Sequence, residues 1–559
     1  MSRMSGAELT IRLLERQGVT VIAGIPGGCN LPLYDALGRS SVITHVLTRH
    51  EQGAGFIAQG MARATGLPAV FFATSGPGAT NTLTALADAK LDSIPVVCIT
   101  GQVSVPMIGT DAFQEVDIYG MSVPVTKHNF LVRRAEDLAD IIPEAFAIAT
   151  SGRPGPVLVD IPKDVQSALL EVDDLPEPGK ADQPMAPDSA LLARAAALVN
   201  AASRPVLLLG GGAATPAAAL AARALVERFH IPAAMSLLGL GVLPVEHELS
   251  LGMLGMHGAR FTNMLMEECD LLLVAGARFD DRATGMMDRF CPKAKIIHID
   301  TDAGEMGKLR APDVGFVADA ALTLEALAPL LQKTDRGPWL ATAAALKQSH
   351  SLVMEGANDP RTPYGIIRCS AEIAGPGAIV ATDVGQHQMR TAQAYPFTET
   401  RQWLTSGGLG TMGFGLPAAI GAAIARPDAT VLCFTGDGSL LMNIQELATA
   451  ADLGVNVKII LCNNNGLGLV QQQQDLFYGG RLFASSYRRA VDFPRVAGGF
   501  GIPALNLCAA PDPRRALEEA LLAPGPRLIE VDIRAEDKVF PMVPPGAANC
   551  EMIGGERHA

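Results

Sequence analysis

The chain has 559 residues, of which 48% are hydrophobic and 18% are charged, and its formal net charge is −13. That length exceeds what a single hydrophobic core supports and predicts three or four domains. The composition is typical of globular proteins and excludes a disordered chain. No run of Lys and Arg is long enough to bind nucleic acid, so small-molecule chemistry is the better expectation.

The first residues, MSRMSGAELTIRLLERQG, predict a polar start and an amphipathic helix, and they carry no export signal. No stretch of about 18 uncharged apolar residues occurs, which argues against a membrane span. The nine cysteines lack metal-type spacing, and Cys98, Cys433 and Cys462 lie within apolar strand-like runs. Buried reduced thiols explain this pattern, and we expect a cytoplasmic protein.

Short apolar runs alternate with Ala- and Leu-rich helical patterns along the whole chain. Each run is apolar throughout and ends in Gly, Asp or Asn, which is typical of parallel strands covered on both faces. The alternation predicts α/β domains built on doubly wound parallel sheets. In chain order, the clearest predicted strands lie within Val19–Ile25, Ala69–Ala73, Pro95–Thr100, Pro156–Ile161, Arg204–Gly212, Asp270–Phe279, Ala294–Asp302, Ala378–Gly385, Ala429–Gly438, Val457–Asn464 and Arg527–Ile533.

Two segments are typical of linkers. Residues 171–188 are acidic and proline-rich, and residues 332–363 are polar with scattered Pro and Gly around a helical piece. These segments divide the chain into blocks at 1–170, 189–331 and 364–545. Residues 546–559 are expected to form a capping tail without regular structure. No short tandem repeat occurs, so any relation between the blocks is architectural.

Two polar clusters follow neighbouring strands of the third block. The run ATVLCFT leads into Gly436-Asp437-Gly438. The next 24 residues end with the run VKIILC, and Asn463-Asn464 follow directly. Both clusters are therefore expected at the carboxyl edge of the sheet, where open α/β sheets bind ligands. Asp437 and Asn464 offer the oxygen ligands that Mg²⁺ prefers beside phosphate, and the glycines let a diphosphate approach the backbone. A chance pair of turns is the alternative.

This spacing is similar to the diphosphate-anchoring motif of thiamine-diphosphate enzymes. The resemblance implies that Asp437, Asn464 and the backbone carbonyl of Gly466 hold Mg²⁺. In the first block, RHEQGAGFIAQGMAR resembles the catalytic-glutamate segment of the same superfamily, and Glu51 matches the glutamate. In that superfamily the glutamate carboxylate contacts the pyrimidine ring of the cofactor and thereby helps the thiazolium ring to lose its C2 proton. In that superfamily the two halves of a site come from different subunits, which implies at least a dimer.

Nearly the whole chain resembles acetolactate synthase (acetohydroxyacid synthase), from GIPGG at 24–28 to PMVPPGAAN near the end. The resemblance places Gln114 and Lys163 among the catalytic residues and Gly28 and Phe113 in the substrate pocket. Met412 matches the large apolar residue that holds thiamine in its bent form; filling the core is its alternative role. The residues implied for thiamine diphosphate are Gly27, Val384, Gln386, His387, Gly410, Met412, Gly436, Gly438, Ser439 and Met442.

The middle block resembles the FAD-binding domain of that family through MLGMHGARFTN, GARFDDR and HIDTDAGEMGK. Asp300 ends a predicted strand and suits a ribose hydroxyl, while Gly276 and Arg278 are placed to meet a diphosphate. In the family this FAD is structural. The implied FAD contacts are Arg153, Gly211, Met256, His257, Gly258, Gly276, Arg278, Asp280, Asp300 and Asp319.

The resemblance implies a transferase that decarboxylates pyruvate and joins the two-carbon unit to a second pyruvate or to 2-ketobutyrate, in branched-chain amino-acid biosynthesis. Arg282 matches the arginine that attracts the carboxylate of the second keto acid; a surface ion pair is the alternative. Gln473, in the substrate pocket, stands where many members have Trp, a residue associated with preference for 2-ketobutyrate. We therefore expect weak discrimination between the two acceptors. The sequence leaves open homodimer against homotetramer, and the presence of a small regulatory subunit.

Three alternatives to this function stay open. A pyruvate-oxidase-type enzyme would use the same cofactors with a redox-active FAD, although TDAFQE, GARFDDR and PMVPPGAA favour the synthase. The second alternative is another thiamine-dependent carboligase or decarboxylase. Glu51 argues against glyoxylate carboligase, because that enzyme lacks the glutamate. A nucleotide-binding scaffold without activity is the third, and it accounts for neither half of the site.

Overall fold

Three six-stranded sheets, all with parallel strand pairs, make up the computed structural model, which describes residues 2–555. Helices join the successive strands, so the prediction of doubly wound α/β sheets is confirmed. The first sheet lies in the N-terminal block, which also has a separate antiparallel pair, β1 with β8. Its strands are β1 Ser2–Ser5, β2 Val21–Gly24, β3 Thr44–Leu47, β4 Ala69–Ala73, β5 Val96–Gln102, β6 His128–Leu131, β7 Val157–Pro162 and β8 Leu169–Val172. Its helices are α1 Gly6–Arg16, α2 Leu31–Leu37, α3 Glu51–Thr65, α4 Pro77–Thr80, α5 Leu83–Asp92, α6 Ile118–Ser122, α7 Leu138–Thr150 and α8 Lys163–Ser167.

The middle block carries the second sheet, and one further helix, α14, lies in the segment that follows it. The strands are β9 Pro205–Leu209, β10 Ala233–Met235, β11 Ser250–Met253, β12 Leu271–Ala275, β13 Lys295–Asp300 and β14 Val314–Val317. The helices are α9 Ser189–Ala201, α10 Pro216–Phe229, α11 Arg260–Glu268, α12 Asp281–Thr284, α13 Ala320–Leu327 and α14 Gly337–Ser349.

The third sheet contains the two polar clusters of the sequence motif. Its strands are β15 Ile379–Thr382, β16 Trp403–Leu404, β17 Val431–Gly436, β18 Val457–Asn463, β19 Ala504–Asn506 and β20 Arg527–Asp532. The helices are α15 Pro363–Ala374, α16 Gln386–Ala394, α17 Gly415–Ala425, α18 Asp437–Leu440, α19 Glu446–Leu453, α20 Gly468–Phe477, α21 Phe493–Gly499 and α22 Pro513–Leu522.

The strand orders divide the sheets into two kinds. The first sheet runs β3-β2-β4-β5-β7-β6 and the third runs β16-β15-β17-β18-β20-β19, which is the same order within each block. The middle sheet runs β11-β10-β9-β12-β13-β14, or 3-2-1-4-5-6 within its block. That is the strand order of dinucleotide-binding folds. The strand order of each sheet reverses next to its first strand, between β2 and β4, between β9 and β12, and between β15 and β17. Ligands of open α/β sheets bind at the carboxyl edge of such a point.

Helix α3, which begins at Glu51, packs closely on α17 of the third block. A Cβ atom at Gly60 would lie 2.0 Å from the Ala418 carbonyl oxygen, and one at Gly421 would lie 2.0 Å from the Ile57 carbonyl oxygen. Glycine at both positions therefore lets the two helix backbones approach each other. The contact is part of a hydrophobic core that the first and third sheets share, so the glycine-interrupted pattern of α3 has a packing cause.

The segment after β20 leaves the third sheet and crosses the middle block. Val543 N–H donates to the Met256 carbonyl at 2.8 Å, and the Asn549 side-chain amide donates to the Ala283 carbonyl at 2.8 Å. Between residues 2 and 555, no helix is both long enough and apolar enough to cross a membrane. All nine cysteines lie in this described part of the chain and are free thiols.

Candidate active site

The carboxyl edge of the third sheet forms a cavity at the point where the strand order reverses, between β15 and β17. The segments that follow these two strands and β18 line it. Such an edge is where an open α/β sheet binds ligands. Among the residues implied for thiamine diphosphate and Mg²⁺, the cavity is lined by Val384, Gln386, His387, Met412, Gly436, Asp437, Gly438, Ser439, Asn464 and Gly466.

Three polar groups converge on one point of this cavity. The Asn464 side-chain amide approaches Asp437 Oδ1 at 3.2 Å and the Gly466 carbonyl oxygen at 2.8 Å. Ligands about 2.1 Å from an octahedral Mg²⁺ lie about 3 Å apart, so the spacing suits that ion. With a cation bound, the Asn464 amide oxygen would face the cation. Without a cation, the amide nitrogen suits this position better, because it can donate hydrogen bonds to the two oxygen acceptors. The donor set therefore fits Mg²⁺.

Asp437 is the charged member of that set. Its side chain is buried, and Oδ2 accepts a hydrogen bond from the Gly466 N–H at 2.7 Å. Burial raises the pKa of Asp437 to about 6 despite the backbone hydrogen bonds. A cation next to the carboxylate favours its ionised form, so metal binding and ionisation of Asp437 support each other.

The rest of the cavity presents small residues and polar atoms without partners. A Cβ at Gly438 would lie 2.6 Å from Leu467 Cδ2, so glycine at this position keeps the space free of a side chain. His387 Nε2 is buried and has no hydrogen-bond partner. Burial lowers the pKa of His387 to about 3, so its ring is neutral at pH 7. Ser439 Oγ donates to the Val384 carbonyl at 2.9 Å. A diphosphate group fits a space of this kind, with glycine walls and an available ring nitrogen.

Met412 reaches the cavity because Asp383 holds the adjoining backbone. Asp383 Oδ1 accepts from Gly413 N–H at 2.7 Å and from Val384 N–H at 3.1 Å. The carboxylate is fully buried, and burial raises its pKa to about 6. Gly410 and Met442, also implied for the cofactor, do not line the cavity, and Met442 is 52% exposed.

Glu51 lies in the first block, at the carboxyl edge of the first sheet. It is half-buried as the first residue of α3, and Asn81 Nδ2 donates to Glu51 Oε2 at 3.0 Å. A Cβ at Gly78 would lie 3.4 Å from Glu51 Oε1, and one at Gly27 would meet Thr74 Cβ at 2.6 Å. Glu51 and Gly27 therefore lie beside the segment that follows β4, apart from the cavity lined by Asp437.

The remaining first-block residues lie on the surface of the single chain. Phe113 is 88% exposed, and Lys163 and Gly28 are also exposed. Gln114 has a positive φ of 59° and lies against Gly76, where a Cβ would meet the Gln114 carbonyl oxygen at 2.9 Å. These first-block residues and the third-sheet cavity therefore lie on different sheets of the chain.

The middle sheet has its own crevice between β9 and β12, where its strand order reverses. Gly210–Gly212 follow β9 and Gly276 follows β12; a Cβ at Gly276 would lie 2.6 Å from Gly212 Cα. Gly211 and Arg278 adjoin this close contact. Asp300 ends β13 and accepts from Asp302 N–H at 2.9 Å. Glycines at the crevice and an aspartate at a strand end suit a dinucleotide such as FAD.

Other residues implied for FAD have structural partners. Arg153 of the first block bridges to Asp302 at 3.0 Å and Glu305 at 3.1 Å, beside Asp300. Asp280 and Asp319 cap the N-termini of α12 and α13 through backbone N–H groups. Gly258 allows a tight turn, because a Cβ there would lie 2.5 Å from the Met253 carbonyl oxygen.

Arg282 and Met256 line a second cavity, together with residues 543–547 and Asn549 of the last segment. His257 is buried next to it, with Nδ1 3.2 Å from the Pro541 carbonyl oxygen. Burial lowers the pKa of His257 to about 4. The exposed guanidinium of Arg282 is available to an anionic ligand, since its ion-pair contact with Asp281 is 3.8 Å long and solvent-exposed.

Comparison with known proteins covers this whole arrangement. The models of the thiamine pyrophosphate enzyme N-terminal TPP binding, central and C-terminal TPP binding domains match residues 4–121, 192–327 and 383–531. The chain is 56% identical to the acetolactate synthase isozyme 1 large subunit of Escherichia coli K12, over 99% of this chain and 98% of that protein. The chain belongs to the acetolactate synthase large-subunit family.

Two further relatives agree. The acetolactate synthase isozyme 2 large subunit of the same bacterium is 45% identical over 98% of this chain and 99% of its own length. Acetolactate synthase 1, chloroplastic, of Nicotiana tabacum is 45% identical over 98% of this chain and 84% of its own length. The resemblance to acetolactate synthase inferred from the motifs is therefore confirmed.

In this acetolactate synthase family member, Gln473 lies on α20 and is half-buried, outside the lining of the third-sheet cavity. Its neighbour Gln472 is buried and joins the cavity wall to the last segment. It accepts from Gln386 at 3.2 Å and donates to the Val539 carbonyl at 2.9 Å.

Four polar residues at these sites were missed by the sequence analysis: Asn81, Asp383, Arg390 and Glu446. Asn81 binds Glu51, and Asp383 holds the Met412 backbone. Glu446 of α19 accepts from Arg49 N–H at 3.1 Å, just before α3 begins. Only Asp383 had a sequence signal, because it directly follows a predicted strand; the contacts of the others depend on tertiary structure.

Proposed function

We propose that this protein is the catalytic subunit of an acetolactate synthase, a thiamine-diphosphate-dependent transferase that also uses Mg²⁺ and FAD. It converts two molecules of pyruvate to acetolactate and CO₂, or pyruvate and 2-ketobutyrate to acetohydroxybutyrate and CO₂. One observation carries the proposal: the chain holds both halves of the site, Glu51 bonded to Asn81 and the Asp437–Asn464–Gly466 oxygen cluster.

In this proposal Asp437, Asn464 and the Gly466 carbonyl would hold Mg²⁺, which would supply positive charge for the diphosphate of the cofactor. Bound thiamine diphosphate supplies the nucleophilic carbon and the electron sink for decarboxylation. Glu51 holds a proton at the pyrimidine ring, and the Asn81 amide orients its carboxylate. Met412 supports the bent cofactor from the third block. The other residues implied for the cofactor contribute walls and backbone contacts.

We propose that FAD would bind at the middle-sheet crevice, with Gly211, Gly276 and Arg278 near its diphosphate and Asp300 near a ribose hydroxyl. Arg153 approaches that crevice from the first block, which is supported by its ion pairs with Asp302 and Glu305. The other residues proposed to contact FAD are Met256, His257, Gly258, Asp280 and Asp319.

For the substrates, we assign the carboxylate of the second keto acid to Arg282, because an exposed guanidinium binds a carboxylate through two hydrogen bonds. Gln114 and Lys163, with Gly28 and Phe113, cover the reacting carbon from the first block. Gln473 borders the acceptor, and its flexible amide favours neither a methyl nor an ethyl side chain strongly. We therefore propose comparable use of pyruvate and 2-ketobutyrate.

The active assembly contains at least two copies of the chain. Support comes from the separation of Glu51 from the Asp437 cavity and from the exposed first-block residues, including Phe113 at 88%. A small regulatory subunit is a further proposed partner, since the most similar relatives are named large subunits. The proposed units are 1–170, 189–331 and 364–545, with a tail at 546–559, of which 556–559 lie outside the described residues. Contrary to the expectation of no regular structure, this tail contains a short 3₁₀ turn, Asn549–Glu551. The free cysteines support a cytoplasmic setting.

The test is pyruvate turnover by the purified protein with thiamine diphosphate, Mg²⁺ and FAD, following CO₂ and acetolactate, with and without 2-ketobutyrate. Glu51→Gln removes the carboxylate and keeps the side-chain size, so we expect acetolactate formation to fall by at least about a hundredfold. Glu144→Gln, on the exposed face of α7, is the matched control and should retain the parent rate.

The products decide between enzyme classes. CO₂ with acetaldehyde and no acetolactate would identify a decarboxylase instead. Acetate with a reduced flavin would identify an oxidase of the pyruvate-oxidase type. Full activity of Glu51→Gln would contradict the role given to that carboxylate while leaving the reaction in place.

A further inference from the structure

Arg390 is a buried cation in α16 that forms no direct ion pair within the described chain, and the Asp537 carboxylate acts on its pKa only from a distance. Its side chain is 3% exposed, and Nη2 donates to the Asp537 carbonyl oxygen at 2.5 Å. Its Nε atom is buried and has no hydrogen-bond partner. The Asp537 carboxylate is engaged elsewhere, since it binds Arg534 at 2.7 Å. No ion pair formed by residues 2–555 includes Arg390.

Such a group is costly unless something compensates it. Moving a charge out of water into protein carries a large free-energy penalty that only an opposite charge or full hydrogen bonding offsets. Burial lowers the pKa of Arg390, yet a guanidinium stays protonated at neutral pH. A cation in this position therefore calls for an anionic ligand.

The location of Arg390 identifies that ligand. Arg390 lines the same cavity as Gly436, Asp437, Gly438 and His387. His387 Nε2 is a second buried nitrogen without a partner in this cavity. Two independent unsatisfied groups thus border the space that fits a diphosphate. Mg²⁺ and Asp437 together bring one net positive charge there, less than a diphosphate carries in negative charge.

We propose that Arg390 supplies the additional positive charge that neutralises the diphosphate of the cofactor. The inference rests on the proposed function, because it takes the cavity as the thiamine-diphosphate site. Arg390 destabilises the cofactor-free protein and stabilises the complex, so it couples folding of the third block to cofactor binding. It also discriminates between ligands, because a diphosphate brings more negative charge to the guanidinium than a monophosphate does.

The test measures binding rather than turnover. Calorimetric titration with thiamine diphosphate and with thiamine monophosphate, both with Mg²⁺, gives dissociation constants for the parent, Arg390→Gln and Arg390→Lys. Gln keeps a donor for the Asp537 carbonyl and removes the charge, while Lys keeps the charge. We expect Arg390→Gln to weaken diphosphate binding by about tenfold or more and monophosphate binding by less. Arg390→Lys should stay within about threefold of the parent.

Thermal unfolding with and without thiamine diphosphate gives a second readout. Removing an uncompensated buried charge should leave the melting temperature of the cofactor-free protein unchanged or higher, while the shift on cofactor addition becomes smaller. A merely structural role would instead lower both melting temperatures together. Arg368→Met, on α15 and outside the cavity lining, is the control and should keep the parent dissociation constant.

The outcomes separate the two hypotheses. If the parent binds no thiamine diphosphate, the proposed function fails. If the parent binds it and Arg390→Gln binds within twofold of the parent, the inference about Arg390 alone is overturned. Should Arg390→Gln fail to fold, Arg390→Lys with a tenfold weaker diphosphate affinity would also contradict a charge-based role.

Discussion

Asp160 is a buried carboxylate beneath the loop that carries Phe113 and Gln114. It accepts hydrogen bonds from Thr100 Oγ1 at 2.7 Å and Gln102 Nε2 at 3.0 Å. The same Gln102 amide donates to the Val116 carbonyl at 3.0 Å, so the carboxylate supports the loop through one intermediary. Burial raises the pKa of Asp160 to about 7.

The raised pKa makes the contribution of Asp160 to stability depend on pH. In the unfolded chain an aspartic acid loses its proton near pH 4, so between about pH 4 and 7 the folded state holds the proton more tightly. The free energy of unfolding of the parent therefore falls as the pH rises through that window. The total fall is roughly 1.4 kcal/mol for each unit by which folding raises the pKa of Asp160. Asp160→Asn lacks this proton, so its unfolding free energy relative to the parent should increase from pH 4 to 7.

Urea unfolding at pH 5, 6, 7 and 8 measures that difference. Lost hydrogen bonds in Asp160→Asn shift the difference equally at every pH and leave the slope intact. Asp140→Asn, exposed on α7, is the control and should show a flat difference. A flat profile for Asp160→Asn as well would mean that Asp160 is already ionised at pH 5.

At the scale of elements, one polar network joins α3 and α5 to the segment that carries Met412. Arg63 of α3 bridges to Asp92 at 2.8 Å and Asp88 at 3.3 Å, and all three side chains are buried. Asp92 accepts from Gly407 N–H at 3.0 Å and Gly408 N–H at 2.7 Å. Asp88 accepts from the hydroxyls of Ser406 and Thr411. The first block thus holds the backbone next to the cofactor cavity of the third.

Asp92→Asn tests this network. It removes the closest counter-charge of buried Arg63, so we expect a loss of stability on the order of 3 kcal/mol, measured by urea unfolding. Weaker thiamine-diphosphate binding should accompany it, because the Met412 segment is less constrained. Asp452→Asn breaks the exposed pair of Asp452 with Arg49 and should cost less than about 1 kcal/mol. Equal losses of unfolding free energy in the two variants would show that the buried network stabilises the protein no more than an exposed ion pair does.

The sequence predicted the strands that are buried on both faces, because such strands are apolar at every position. The predicted strand Ala69–Ala73 coincides with β4, and Pro95–Thr100 lies within two residues of β5 at either end. The outer strands β16 and β19 have two and three residues, too few to produce a pattern, so they could not be predicted. The motif residues of the third block were predicted because they directly follow strands. The contacts of Glu446 and Arg390 join segments distant in sequence, and no local pattern marks them.

At the scale of the whole molecule, the three blocks share hydrophobic cores. One core contains residues of the first and third sheets, and another contains residues of the middle and third sheets. The third block is therefore central to the packing, although the chain enters it last. We expect these buried surfaces to hold the blocks together even without the peptide link between them.

Cleavage of the first linker tests that conclusion. A short protease recognition sequence inserted after Lys180, an exposed residue, allows the chain to be cut there after folding. We expect the two fragments to co-elute in size-exclusion chromatography and to separate only in denaturant. The uncut insertion variant is the control. Separation of the fragments in buffer alone would show that the shared core is too weak to hold the blocks together.

The crossing of the last segment onto the middle block has a consequence for biosynthesis. A ribosome makes the FAD-type sheet long before residues 543–549, which supply one wall of the Arg282 cavity. Domains generally fold in the order of their synthesis. The nascent middle block therefore lacks this wall until the segment after β20 has been synthesised. The cavity proposed for the second keto acid can thus form only after the strands of all three sheets have been synthesised.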